Sequence, residues 1–339
     1  MPLWIGLVPL LLGGAPQSGA DTQLAQRIYF RRAGSLMVFD LARREQQTLW
    51  PQRSPDDDDA PAISRDGQTV FFVQGGNLWA LASDSVAPRR LTTLGRPGTA
   101  PGDAPRCDLP LPSPDGRWLA YRASVEEGRP QLRLYDLTTD EDHVLAEVDD
   151  FAIAWSPDGG LVYAAGGRLW RRNPPDSMPR PLIPDFAAEG RQAAPRYARD
   201  GRLLFTCDGQ PMVRLADSRV MPAAAMATGT TRAWPTPCSQ QVALERTLFD
   251  PRDQGRSWTE LSLVDPTTRR ARPLISTYTN TGRGGRAEML GWLDAERLLV
   301  LRDLYENCRK VYAINTMTAQ ADLVLKGQDR DAGFAVWPN

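Results

Sequence analysis

Few side chains in this chain have the type and spacing that chemistry requires. Its 339 residues include one histidine, His143, and four cysteines, Cys107, Cys207, Cys238 and Cys308. One imidazole cannot build a multi-histidine metal site. His143 also sits in a polar, charged segment, Thr138–His143, that reads as solvated surface. The cysteines lack C-x-x-C spacing, so a zinc site is not indicated. A cysteine nucleophile would need a base, and His143 falls on an outer strand of the repeats described below. The best-supplied group is the carboxylate. Asp56, Asp57, Asp58 and Asp59 are consecutive, and the pairs Asp103 and Asp108, Asp149 and Asp150, and Asp329 and Asp331 recur near the starts of later repeats. Such acids could ring a channel mouth and attract a basic peptide. They could instead supply oxygen ligands to Ca²⁺, or form a solvated rim offset by Arg106, Arg191, Arg232, Arg286 and Arg330. The run of four Asp is no EF-hand loop, because the Gly and the terminal Glu are missing. Thr279–Arg286, TNTGRGGR, is glycine-rich and basic but has no strand before it and no helix after it, as a phosphate cradle needs. It reads as a loop.

The elements that must position these groups are short strands. The formal net charge of −1 and ordinary composition describe a globular protein and argue against a nucleic-acid role driven by bulk electrostatics. Phe151–Arg171 reads strand, turn, strand, turn, strand, with Ser156-Pro157-Asp158-Gly159 supplying the first turn. The unit recurs at Ile63–Gly67, Pro112–Gly116, Trp155–Gly159 and Tyr197–Gly201, and in degenerate form at Pro237–Gln241 and Trp292–Glu296. The spacing of roughly 40–55 residues is within or near that of propeller blades. Four period-2 strands fit in each of six units. The seventh is split. Arg27–Phe30, Ser35–Phe39 and Gln46–Trp50 supply three strands at the N-terminal end, and Gly333–Trp337 supplies the missing first strand. The expected fold is all-β: a seven-bladed β-propeller of four-stranded antiparallel blades, closed by a C-terminal strand joining the N-terminal blade.

Met1–Gly14 is apolar and Ser18-Gly19-Ala20 fits a signal-peptidase site, although no Lys or Arg precedes the apolar run. The expected organisation is therefore a signal peptide over 1–20 and one propeller domain over 21–339, in a periplasmic or secreted protein. The apolar run is too short for a membrane span, and none is expected in the mature chain. In an oxidising compartment the four cysteines allow two disulfides in three pairings. The register puts Cys107, Cys207 and Cys308 on one face and Cys238 near the other, beyond disulfide reach, so at least one free thiol is expected.

The Trp155-Ser-Pro-Asp-Gly and Ser113-Pro-Asp-Gly turns resemble the PD40, or WD40-like, repeat of TolB-type propellers. The resemblance covers nearly all of the expected mature chain and is weakest in the last two units. It does not extend to the α/β domain that precedes the propeller in TolB, for which residues 20–27 leave no room. The resemblance implies a secreted, non-catalytic propeller that binds other proteins. Oligogalacturonate lyase has a similar architecture, but its metal site needs several histidines. The hydrolase domain of prolyl-oligopeptidase-type proteins has no counterpart here, nor has its G-x-S-x-G elbow.

Loop lengths separate the two faces. The Asp-Gly turns are tight, whereas Gly95–Arg106, Ala123–Pro130, Arg246–Trp258, Thr277–Arg286 and Asp303–Cys308 are long and share the other face, where binding groups are expected. Trp155, Tyr197, Trp292 and Trp337 share one repeat position and read as blade-to-blade packing, as do Trp79, Tyr135, Trp170 and Tyr312 in the third strands. Trp258 and Tyr305 fit neither column and are read as loop-borne anchors. The expected function is a scaffold holding a protein or peptide of the cell envelope at the long-loop face. Its contacts are Asp56, Asp57, Asp58, Asp59, Asp149, Asp150, Trp258 and Tyr305, with no catalytic residue, no metal and no nucleic acid. The alternative is a ligand-binding, hydrolytic or lyase propeller acting on a saccharide or peptide at the acidic mouth, with Ca²⁺ as its candidate cofactor.

Overall fold

The computed structural model describes residues 27–51, 59–95, 105–125, 129–148, 152–174, 178–183, 190–198, 200–215, 217–223, 230–236, 241–250, 253–277, 286–294, 296–304, 308–327 and 331–337. These form seven four-stranded antiparallel sheets. No helix occurs among them. The blades are numbered 1 to 7 along the chain, and the strands of each are lettered a to d in spatial order. Blades 2 to 7 are each built from consecutive strands, whereas in blade 1 strand a is Asp331–Trp337, paired with strand b, Arg27–Arg32. The two ends of the chain thus close one sheet, as the split repeat predicts. The a strands of successive blades lie beside one another and line the central channel.

The cores lie between blades, because alternating residues on each side of a sheet must be covered by the neighbouring blade. Phe71, Val73, Leu78, Leu119 and Tyr121 fill the gap between blades 2 and 3, and Leu161, Tyr163, Leu132 and Leu134 that between blades 3 and 4. Phe30 stacks on Phe334 across the closing pair of strands, with centroids 5.4 Å apart.

The recurrent turn has a definite job. Ser156 Oγ lies 2.6 Å from Asp158 Oδ1 and accepts the Gly160 N–H at 2.8 Å. In blade 2, Ser64 Oγ likewise donates to Asp66 at 2.6 Å and accepts the Thr69 N–H at 2.9 Å. Ser113 repeats both contacts with Asp115 and Trp118. The serine hydroxyl is the first cause that holds the Asp66 and Asp158 carboxyls below the usual range. Gly159, at φ 84°, supplies the left-handed residue that the turn requires. Blade 5 has Ala198 in place of the serine, and Arg202 Nε takes over Asp200 at 2.6 Å.

Blade 6 departs from the expected alignment. Pro235, not Pro237, pairs with Val242 as Trp155 pairs with Leu161, and Thr236 Oγ1 reaches the Gln241 carbonyl at 2.9 Å as Ser156 Oγ reaches that of Gly160. The degenerate copy is therefore shifted by two residues: the threonine hydroxyl replaces the serine, and the motif's Asp-Gly is missing from the sequence.

A second repeated device, not noticed in the sequence, closes strand c onto strand d. Asp40, Asp136, Asp265 and Asn315 each accept two backbone N–H groups two and three residues on. Arg44, Asp140, Arg269 and Ala319 then turn the chain at φ 57–61°. The aromatic columns are structural, as expected. The Trp155 indole donates to Leu111 of blade 3 at 3.0 Å, and Trp292 to Pro235 of blade 6 at 2.9 Å. Trp79 and Trp170 instead close their own b–c turns on Gln74 and Ala165.

Candidate functional site

The long-loop face is the side where strand b turns into strand c. In blade 4 these strands, Leu161–Ala165 and Arg168–Arg172, have five residues each and close in a Gly166-Gly167 turn. In blade 6 they are Val242–Asp250 and Asp253–Val264, of nine and twelve residues. In blade 7 they are Arg297–Leu304 and Cys308–Asn315, eight residues each. At about 3.4 Å per residue the blade 6 hairpin stands roughly 10 Å above the shorter blades. What the sequence presented as the loop Arg246–Trp258 is thus mostly strand. Trp258 is a strand residue, half-buried and directly opposite Leu248, rather than a loop anchor. The β-branched and aromatic residues Thr247, Phe249 and Thr259 favour continued pairing there.

Of the expected acidic contacts, Asp59 is described and is ion-paired with Arg106. Asp56, Asp57, Asp58, Asp149, Asp150 and Tyr305 lie outside the described residues. Asp108 is buried in an ion pair with Arg122. Asp59 and Asp108 are therefore each matched by an arginine, and Asp108 is buried rather than part of a solvated rim. Loops on this face are pinned where they begin. Asn77 brackets Gly95, accepting its N–H at 2.9 Å and donating to its carbonyl at 3.0 Å. The Thr92 and Thr277 hydroxyls accept the Leu78 and Thr259 amides at 3.0 and 2.8 Å.

Cys107 and Cys207 are free, so a two-disulfide arrangement does not form. Burial pushes the Cys107 thiol up to about 12, which keeps it protonated and unreactive. Cys238 lies outside the described residues. His143 is exposed on strand d of blade 3 and lies 3.6 Å from Glu141. Among the described residues no group of three or more His, Cys, Asp or Glu side chains is arranged to hold a metal ion.

A charged cluster of which the sequence singled out only Arg232, as a rim arginine, lies on the inner strands of blades 5 to 7. Arg196 comes from strand a of blade 5, Gln192–Tyr197. That strand carries a bulge between Ala193 and Arg196, with Ala194 at φ 51°. The Arg196 guanidinium reaches over the Trp234 ring of blade 6, 3.5 Å from its centroid. Arg232, two residues before Trp234, lies 3.6 Å from Glu245 and 3.4 Å from Glu288 of blade 7. Glu245 Oε2 also accepts the Met289 N–H at 3.1 Å. Burial, with the like charge of Arg232, lowers Arg196 to about 10, and burial raises Glu245. The only sequence signal here was arginine and glutamate at inner-strand positions that propeller packing does not need.

No protein-family model matches the chain, and no curated protein matches it in sequence. Solved structures do match. TolB from Acinetobacter baumannii aligns with a TM-score of 0.51 at 15% identity, over 91% of this chain and 82% of its own. The fold is shared with TolB. A puromycin hydrolase aligns with a TM-score of 0.60 at 15% identity, over 90% of this chain and 53% of its own. A prolyl endopeptidase aligns with a TM-score of 0.58 at 14% identity, over 93% and 51%. The chain thus spans about half the length of those two proteins. At these identities the likeness is one of fold, and propellers of this kind serve unrelated activities. Among the described residues no helix is long and apolar enough to cross a membrane.

Proposed function

We propose that the protein is a periplasmic or secreted, non-catalytic propeller scaffold that holds a protein or peptide partner of the cell envelope at its long-loop face. Residues 1–20 act as the export signal in this reading, and the working chain starts near Asp21. The observation that carries it is the asymmetry of that face. The blade 6 hairpin, with strands of nine and twelve residues, outreaches the five-residue strands of blades 4 and 5 and bears Leu248 opposite Trp258, an apolar cross-strand pair of half-buried residues. Aromatic side chains at the edge of a projecting element are the usual anchors of an interface. The acidic stretch Asp56–Asp59 adds charge for a basic partner, and Asp149, Asp150 and Tyr305 belong to the same proposed surface.

The test is to trim the hairpin. Replacing Leu248–Trp258 by Asn-Gly leaves Thr247 opposite Thr259 and closes blade 6 with a tight two-residue turn. Captured from envelope extract, an identified partner should be held by the native chain and lost by the trimmed one, with Tm little changed. A second variant with Asp56–Asp59 changed to Ser should weaken capture in a salt-dependent way. Equal capture by native and trimmed proteins, or capture by neither, sinks the reading.

A further inference from the structure

Several arginines among the described residues are matched at close range. Arg117, Arg122, Arg133, Arg171, Arg202 and Arg297 each hold a carboxylate at 2.9 Å or less. Two channel-side arginines are not. Arg196, half-buried with its guanidinium on the Trp234 ring, makes no ion pair among the described residues. Arg232 has Glu245 and Glu288 only at 3.6 and 3.4 Å, longer than the roughly 2.7–2.9 Å of a charge-assisted hydrogen bond. We propose that the channel binds a carboxylate-bearing ligand between Arg196 and Arg232, with the Trp234 indole as the platform beside it.

The backbone places the three groups together. Arg232 and Trp234 are two residues apart on one strand, so they project to the same side about 7 Å apart. Arg196 is laid against the Trp234 ring from the next blade. The bulge at Ala193–Arg196 shifts its strand out of register, and bulges are a common means of re-aiming a side chain beside a site. The Trp234 indole N–H has no hydrogen-bond partner, whereas those of Trp79, Trp155, Trp170 and Trp292 are all bonded. A cation and a donor left in this condition cost stability, and such costs persist at sites that serve a ligand.

The local charge selects the ligand. Two guanidiniums stand against Glu288 and the buried Glu245, so the four charges balance, and a ligand must be held by guanidinium N–H groups rather than by surplus positive charge. A dianion would meet the Glu288 carboxylate at close range. A monoanionic carboxylate can take N–H donors from both arginines in their planar geometry.

The experiment measures binding to the full chain with benzoate, with an N-acetylated tripeptide ending in phenylalanine, with the amide of that tripeptide, and with inorganic phosphate. Saturable binding of either carboxylate in the millimolar range or tighter is expected. The amide and phosphate should be at least about tenfold weaker. Preference for benzoate points to a small free acid, and preference for the tripeptide to a peptide C-terminus. R196M should weaken carboxylate binding at least about tenfold while leaving Tm equal or raising it, because it removes a half-buried cation that has no close ion pair. R196K should recover part of the binding. If R196M lowers Tm by several degrees, the more exposed Arg232 decides, and R232M should show the same loss of binding in a folded protein. Absence of saturable carboxylate binding to the folded native chain overturns the proposal, and so does binding that survives in R232M.

Discussion

In blades 2, 3 and 4 a serine hydroxyl, an aspartate and a backbone amide close on one another within six residues or fewer. On the channel side of blades 5 to 7 the polar groups come from three blades and are matched loosely. One arginine lies on an indole and another stands 3.4–3.6 Å from two glutamates. The first region uses serine, aspartate and backbone amides, the second arginine, glutamate and tryptophan. The first satisfies each group locally and so makes structure. The second leaves donors and charge available, which is what a ligand or partner requires. Repetition marks the former, and departure from the repeat marks the latter.

The comparison predicts where substitutions will hurt. The largest loss should come from the repeated tryptophans that bond one blade to the next. Trp155→Ala should cost about 3 kcal/mol in denaturant unfolding, from lost burial and the lost bond to Leu111, whereas Trp155→Phe should cost about 1 kcal/mol. A Trp155→Phe cost near zero would mean that the cross-blade hydrogen bond contributes nothing, and equal losses in the two variants would assign the whole cost to that bond.

Ser156→Ala comes next, at about 1–3 kcal/mol, because the buried Gly160 amide loses its acceptor. A change below a few tenths of a kcal/mol would show that the turn closes on glycine and proline geometry alone.

Asp136 gives a smaller, pH-dependent effect. Burial pushes its carboxyl up, but the Thr138 hydroxyl and the Arg117 guanidinium outweigh burial and hold it at about 2. A depressed carboxyl stabilises the fold above its unfolded pKa of about 4. That contribution is lost as pH falls toward 2. With Arg117 half exposed, it amounts to about 1–2 kcal/mol. The stability gap between the native chain and Asp136→Asn should therefore be widest near neutral pH and shrink below pH 4. A gap independent of pH would assign the cost of the substitution to the turn geometry alone.

The propeller was legible because its information is local and repeated. Ser-Pro-Asp-Gly specifies a turn through groups within five residues, and strands of period 2 on either side leave one arrangement that buries both faces. Where the repeat weakened, the reading slipped. Blade 6 was misaligned by two residues because Thr236 replaces the serine and no Asp-Gly marks the turn. The same blade's long hairpin passed for a loop because Asp250–Gly255, with its polar and glycine residues, interrupts the apolar alternation. The strand c–d turns at Asp40, Asp136, Asp265 and Asn315 are present in the sequence, but their flanking residues differ too much to form a recognisable repeat.

By itself the sequence determined the number of blades, the closure of the ring by the two ends of the chain, and the structural duty of the tryptophan columns. Each follows from backbone dihedral preference and alternating burial, which act over a few residues at a time. Only the tertiary structure decided which charges meet. Arg196, Trp234, Arg232, Glu245 and Glu288 lie on three blades and are up to 92 residues apart (288 − 196). No periodicity relates them, because electrostatic contact depends on distance in space, and a closed ring brings together strands that the chain keeps apart.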